Sequence, residues 1–216
     1  MKYEIKTQFK SWKKINSKSI LTMIAVLLSA CISKSTYSQD VLPETLFYYE
    51  GNQKIFLEVD NSMIAEFGAS LNVGGKNIKS SVVNADASAQ LIRSHGQVNL
   101  WKTNGKGGSI GISKSLNESD NKGYSPVFRT IKGATNLALP GNIIVELDTT
   151  MTEKQAEVFF GAKGLRILRK HSLDGRNIYE VETPAGAASL NIANSLHGQT
   201  GVISSTPNWW RDVTAK

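Results

Sequence analysis

The side chains that can do bond chemistry are few in this chain, and their spacing does not favour it. Among 216 residues there is one cysteine, Cys31, and three histidines, His95, His171 and His197. No His-x-His or His-x-x-x-His pair occurs, and a lone cysteine completes neither a zinc site nor an intrachain disulfide, so no metal or cofactor is expected. Asp148-Thr149-Thr150 begins like an Asp-Thr-Gly motif but lacks the glycine. His197-Gly198-Gln199-Thr200 is a further isolated fragment, and no Gly-Thr-Ser nucleophile segment accompanies it. Nucleophilic catalysis needs nucleophile, base and orienting acid together. With that set missing, these residues read as turn and helix-end positions, and the chain is expected not to be an enzyme. Gly105-Lys106-Gly107-Gly108 lacks the Gly-Lys-Ser/Thr ending of a phosphate loop and reads as a connection. His171, beside Arg169 and Lys170, reads as a solvated strand end.

The formal charge of +7 is concentrated at one end. Residues 1–19 hold six lysines against Glu4, which is +5 of that +7 and leaves +2 for the rest. A nucleic-acid partner needs a basic face on the folded part, so none is expected. The basic stretch precedes the apolar run Ile20 to Leu28 and then small residues, the pattern of a secretory signal over residues 1–38. The run is shorter than the roughly 20 residues of a transmembrane helix. Leu28-Ser29-Ala30-Cys31 resembles a bacterial lipobox, in which the cysteine becomes the lipidated N-terminus. Ordinary cleavage after Ser38, with Thr36 and Ser38 as the small residues, is the competing reading, and a cysteine that merely packs in the apolar run is the third. On either cleavage the expected location is outside the cytoplasm of a bacterium, in the periplasm or anchored to the outer membrane. Membrane contact is expected only through a lipid at Cys31.

Behind the signal, residues 40–137 read as a small, mainly β extension domain. Leu46 to Tyr49 and Ile55 to Val59 flank Gly51-Asn52 as a hairpin does. Met63 to Phe67 and Val98 to Trp101 are further strands by their β-branched and aromatic content. Residues 104–125 read as a long polar connection in which only Ser109 to Ser113 could pair. Pro140-Gly141 then marks a change of character.

Residues 138–208 read as a second domain. Ile143 to Leu147 is a strand, Thr152 and Gln155 form a capping box, and Ala156, Phe159 and Phe160 make an apolar helical stripe that stops at Gly164. Leu165 to Arg169 and Asn177 to Glu182 alternate as half-buried strands around the turn Asp174-Gly175. Thr183-Pro184 is a cap and first helical residue, Ile192, Ala193 and Leu196 form a second stripe, and Gly201 to Ser205 is a last strand. The fold class is therefore α+β. The order β-α-β-β-α-β predicts a ferredoxin-like domain with two helices on one sheet face and the other face open. An uncovered face suggests docking, although fold alone assigns no function.

Leu139 to Val145, Gly164-Leu165-Arg166, Ile178 to Val181, and Gly201-Val202 leading to Thr206-Pro207-Asn208-Trp209-Trp210 resemble the propeptide domain of subtilisin-like serine proteases. The run Tyr48 to Leu57 and Ser125 to Phe128 resembles the extension that precedes such propeptides. A protease precursor would continue into a catalytic domain, whereas this chain stops at Lys216. It is thus similar to the stand-alone external chaperones of subtilisin/kexin-like serine proteases. The resemblance implies a chaperone and inhibitor whose C-terminal tail, 209–216, enters the protease cleft. Val213, Thr214, Ala215 and Lys216 would then lie behind and in the first specificity pocket. Of Trp209 and Trp210, at least one is expected to touch the partner, the alternative being that both pack at the domain edge. Two other readings remain: a truncated subtilase precursor, and a periplasmic lipoprotein with a structural role.

Overall fold

The computed structural model describes residues 45–68, 72–73, 76–77, 80–120 and 122–213. They belong to one compact unit, a sheet-rich α+β fold with antiparallel sheets and four helices. The signal segment and Cys31 lie outside the described residues.

The first half is built on a hairpin of β1 (Phe47–Glu50) and β2 (Gln53–Phe67), which turns at Gly51-Asn52 as the sequence predicts and pairs Phe47 with Phe56. The strands expected at 55–59 and 63–67 are one long strand. Its pairing with β7 (Gly123–Thr130) slips between Asp60 and Ile64, where the Asp60 carboxylate accepts bonds from the Ser62 N–H and hydroxyl. That local turn bends the strand without ending it. The short strands β3 (Asn72–Val73) and β4 (Lys76–Asn77) pair with each other. β5 (Gln90–His95), β6 (Val98–Lys102), β8 (Leu137–Ala138) and the final β13 (Trp210–Arg211) complete a seven-stranded sheet in the order β13-β8-β7-β2-β6-β5, with β1 attached to β2.

Two helices pack on this sheet: α1 (Ser81–Ala85), capped by Ser80, and α2 (Ser109–Ser119). The second corrects the sequence reading of 104–125 as a connection with a strand at Ser109 to Ser113. Its serines and Gly111 have poor helical propensity and no side chain caps its start. Tertiary contact decides instead: Ser109, Ser113 and Leu116 are buried, and Leu116 joins Ile64, Val82, Trp101 and Tyr124 in one apolar cluster.

The second half runs β9 (Ile143–Leu147), α3 (Glu153–Gly161), β10 (Ile167–His171), β11 (Asn177–Val181), α4 (Ala187–Leu196) and β12 (Val202–Pro207). Its strands form a separate four-stranded antiparallel sheet in the order β10-β11-β9-β12. Ile143, Val145 and Leu147 alternate inward from β9 and meet Ala156 and Phe160 of α3, Tyr179 and Val181 of β11, and Ala193 and Leu196 of α4. The capping box at Thr152 and Gln155 is present. The start expected at Thr183-Pro184 is not: α4 begins at Ala187 behind Gly186, whose N–H bonds the Leu139 carbonyl.

That bond marks where the halves meet. Leu190 of α4 is fully buried, not in the second core but among Tyr48, Leu57, Phe128, Leu137 and Leu139 of the first. Gly141 (φ +105°) lets the chain cross here, since a Cβ at this position would lie 2.8 Å from the Thr183 carbonyl. Asn142 follows in the left-handed region at φ 62°.

Candidate functional site

Both helices of the second half lie on one face of the four-stranded sheet, and among the described residues no helix covers the other. Residues opposite one another across neighbouring strands share a face. The register therefore places Ile144 and Glu146 of β9, Ile178 and Glu180 of β11, Arg169 of β10, and Ser204 and Thr206 of β12 together on the uncovered side. The four expected strands form one sheet, but the one expected over Leu165 to Arg169 runs from Ile167 to His171. The simple alternation expected over Arg166 to Arg169 is not found, because the β10 pairing slips between Ile167 and Arg169. Ile167 packs on the helix-covered core, Leu168 is exposed at the sheet edge, and Arg169 reaches the open face.

The face carries two charge pairs. The Arg176 guanidinium grips Glu146 with two bonds, 2.9 Å from Nε and 2.5 Å from Nη2. Arg169 Nε lies 2.6 Å from Glu180, whose other oxygen accepts a 2.9 Å bond from the Asn142 amide. The carboxylates are sheltered, with 13% and 12% of their side chains exposed, whereas Arg176 and Arg169 are 54% and 66% exposed. A partner would therefore meet guanidinium groups and the apolar flanks of Ile144 rather than bare anions. A weakly hydrated planar cation over its own counter-ion is easier to cover than an ammonium.

The hydrogen bonds from Arg176 hold the Glu146 carboxyl below the usual carboxylate range, against the opposing effect of burial. A depressed folded pKa means that this stabilisation is present above the unfolded value and is lost as pH falls through the folded one. Glu182, bonded by exposed Arg166, shifts the same way. Urea midpoints measured from about pH 6 down to about pH 3 should therefore fall, and Glu146→Gln should flatten that fall. An unchanged slope in the variant would remove Glu146 from the acid response.

The C-terminal segment leaves β12 beside this sheet but is held by the other one. The Trp209 ring packs against Tyr48 and Phe128 at 5.1 and 6.2 Å. Trp210 pairs opposite Ala138 and packs its ring against Phe67 at 6.4 Å. Both tryptophans are half-buried, and the buried Trp209 Nε1 has no hydrogen-bond partner among the described residues. Val213 is 71% exposed, while Thr214, Ala215 and Lys216 lie outside the described residues.

The isolated chemical fragments are occupied locally. The Asp148 carboxylate accepts bonds from the Thr150 N–H and hydroxyl, and His197 stacks on Tyr49 at 3.6 Å. Among the described residues no three metal-ligating side chains gather, and no helix is long and apolar enough to cross a membrane. Set beside known proteins, the chain matches no family model, no curated protein and no solved structure.

Proposed function

We propose that this chain is an exported, non-catalytic binding protein that assists the folding of a subtilisin/kexin-like serine protease and then inhibits it. The observation that carries the reading is the four-stranded sheet in the order β10-β11-β9-β12, with both of its helices on one face and no described helix on the other. With a β-α-β-β-α-β chain order, this is the arrangement expected of a ferredoxin-like, propeptide-type domain. The uncovered face supplies a docking surface; a contact of standard size would bury about 1,600 Å² in total. Folding assistance follows from tighter binding to the native-like protease than to its unfolded states. The segment 213–216 would enter the cleft, adding backbone bonds as an extra strand. The periplasm, with a lipid at Cys31 as an optional anchor, is the compartment this reading requires.

The test is docking on the open face. Ser204 and Thr206 are half-buried there, opposite Glu146 and Ile144. Ser204→Arg with Thr206→Lys adds bulk and charge beside an existing acid, so the fold should tolerate it. Affinity for the protease should drop about tenfold or more, about 1.4 kcal/mol. Calorimetric titration that finds wild-type affinity in this variant would sink sheet-face docking. If the wild-type chain neither binds nor refolds such a protease, the whole reading fails.

A further inference from the structure

Thr183 carries a helix-cap signal that the fold does not use, since α4 starts only at Ala187. Its carbonyl accepts a 3.2 Å bond from the Asn142 N–H, but its hydroxyl has no hydrogen-bond partner among the described residues. The residue is 7% exposed. A polar group taken out of water is costly to leave unpaired, so this hydroxyl calls for a partner. Strand alternation from Val181, a member of the helix-covered core, sends Thr183 to the same side of the sheet. There it lines a cleft of about 710 Å³ between the end of α3 and α4. That volume suits a small ligand. Leu165, Ile192 and Leu196 give the cleft an apolar wall. Lys163 also lines it, with its ammonium 4.6 Å over the Phe159 ring. Among the described residues Lys163 forms no ion pair. The other polar side chains there are engaged: Glu182 with Arg166 at 2.7 Å, the Ser195 hydroxyl with the Ile192 carbonyl at 2.7 Å, and Gln199 Nε2 with the Ser195 carbonyl at 2.6 Å.

We propose that this cleft binds a small apolar ligand that carries one carboxylate and one neutral acceptor. An ammonium donates only, and a hydroxyl with no partner can donate. The ligand must therefore accept at two places and bear negative charge at one of them. A cationic or purely aliphatic molecule leaves both groups unmet. An apolar amino acid with a free carboxylate and an acylated nitrogen satisfies all three features. Its side chain lies on Leu165, Ile192 and Leu196, its carboxylate meets the Lys163 ammonium, and its acyl carbonyl accepts from the Thr183 hydroxyl. Free N-acyl amino acids and the C-terminal residues of short peptides share this chemistry. The cleft lies between helix ends and not on the open sheet face, so the proposal stands or falls independently of the protease reading.

The test titrates the full chain with N-acetyl-leucine and reads backbone amide shifts by two-dimensional NMR. Saturable shifts are expected at Gly164, Leu165 and Thr183, while the Ile144 and Glu146 amides of the open face stay in place. The dissociation constant should be on the order of 1 mM, the strength that about a dozen heavy atoms supply. N-acetyl-leucine amide lacks the charge and 4-methylpentanoate lacks the acyl carbonyl, and each should bind about fivefold more weakly. Lys163→Gln should weaken N-acetyl-leucine about fivefold and erase its advantage over the amide. Thr183→Val should weaken it about fivefold and erase its advantage over 4-methylpentanoate, while Tm holds or rises because a buried unpaired hydroxyl is gone. Ala-Ala-Leu titrated in parallel separates the two sources: tighter binding than N-acetyl-leucine assigns the cleft to peptide ends, weaker binding to free acylated amino acids. No localised shift well above the expected constant, an equal response to the amide, or undiminished affinity in either variant would overturn the site. A lowered Tm in Thr183→Val would show that the hydroxyl is already paired within the fold and would overturn it as well.

Discussion

Leu190→Ala is expected to destabilise the described fold by about 2–5 kcal/mol, the range for deleting a fully buried leucine side chain. The position is unusual in its neighbours. α4 buries Ala193 and Leu196 in the core of its own sheet but sends Leu190 into the cluster of Tyr48, Leu57, Phe128, Leu137 and Leu139. A cavity there loosens the joint between the two halves as well as the packing. The surrounding aromatic rings are themselves braced, Tyr48 and Phe128 by Trp209, so collapse around the cavity is restricted and the upper part of the range is favoured. Ile192→Ala, a half-buried position two residues further along the same helix and packed on the other core, should cost clearly less. Because the joint is shared core, urea unfolding should follow one transition by both tryptophan fluorescence and far-UV circular dichroism. Two separated transitions in the wild-type chain, or a Leu190→Ala cost no greater than that of Ile192→Ala, would contradict this account of the joint.

Where the sequence was legible, a local cause was sufficient. The hairpin at Gly51-Asn52, the strand Ile143 to Leu147 and the capping box at Thr152 all rest on residues within a few positions of one another. Where it was not, distant contacts decided. The helix Ser109–Ser119 looks like a loop because its buried face is made of serines and one leucine; small residues fit there because β2 and β7 lie against it, which no window of sequence reveals. Thr183-Pro184 carries a helix-start signal, but the crossing at Gly141 and the bond from Gly186 to Leu139 delay the helix to Ala187.

The candidate site divides the same way. The four strands of this sheet were legible from element order and punctuation, but the alternation expected on β10 was not, because its pairing slips between Ile167 and Arg169. The charge pairs were not legible either. Arg176 sits in the turn before β11 and reaches back 30 residues to Glu146, and Arg93 meets Asp212 across 119. Nor does the pairing of Trp210 with Ala138 have a local signal, although it makes part of the expected tail into a strand of the larger sheet.

That pairing shortens the segment free to act and sharpens what its removal should do. Trp210 and Arg211 are in β13 and Asp212 is paired with Arg93, so the expected active element is Val213 to Lys216 alone. On the inhibitor reading, Lys216 would occupy the first specificity pocket, where an acidic wall would pair its ammonium. Ala215, Thr214 and Val213 follow as an added strand, and Val213 fills an apolar fourth pocket. Ala215 departs from the dibasic preference of kexin-like enzymes, so selectivity for a protease content with one basic residue is expected. Ending the chain at Asp212 should raise the inhibition constant about tenfold or more, about 1.4 kcal/mol. Thermal stability should hardly change, because Val213 is 71% exposed and stabilises little by burial. Folding assistance should survive in part, because the sheet face that would bind the native-like protease is intact. Inhibition constants and refolding yields measured side by side separate the two roles. Equal inhibition by the shortened and full chains would leave the sheet face as the sole inhibitory element, while loss of refolding activity on shortening would place the chaperone role in the tail.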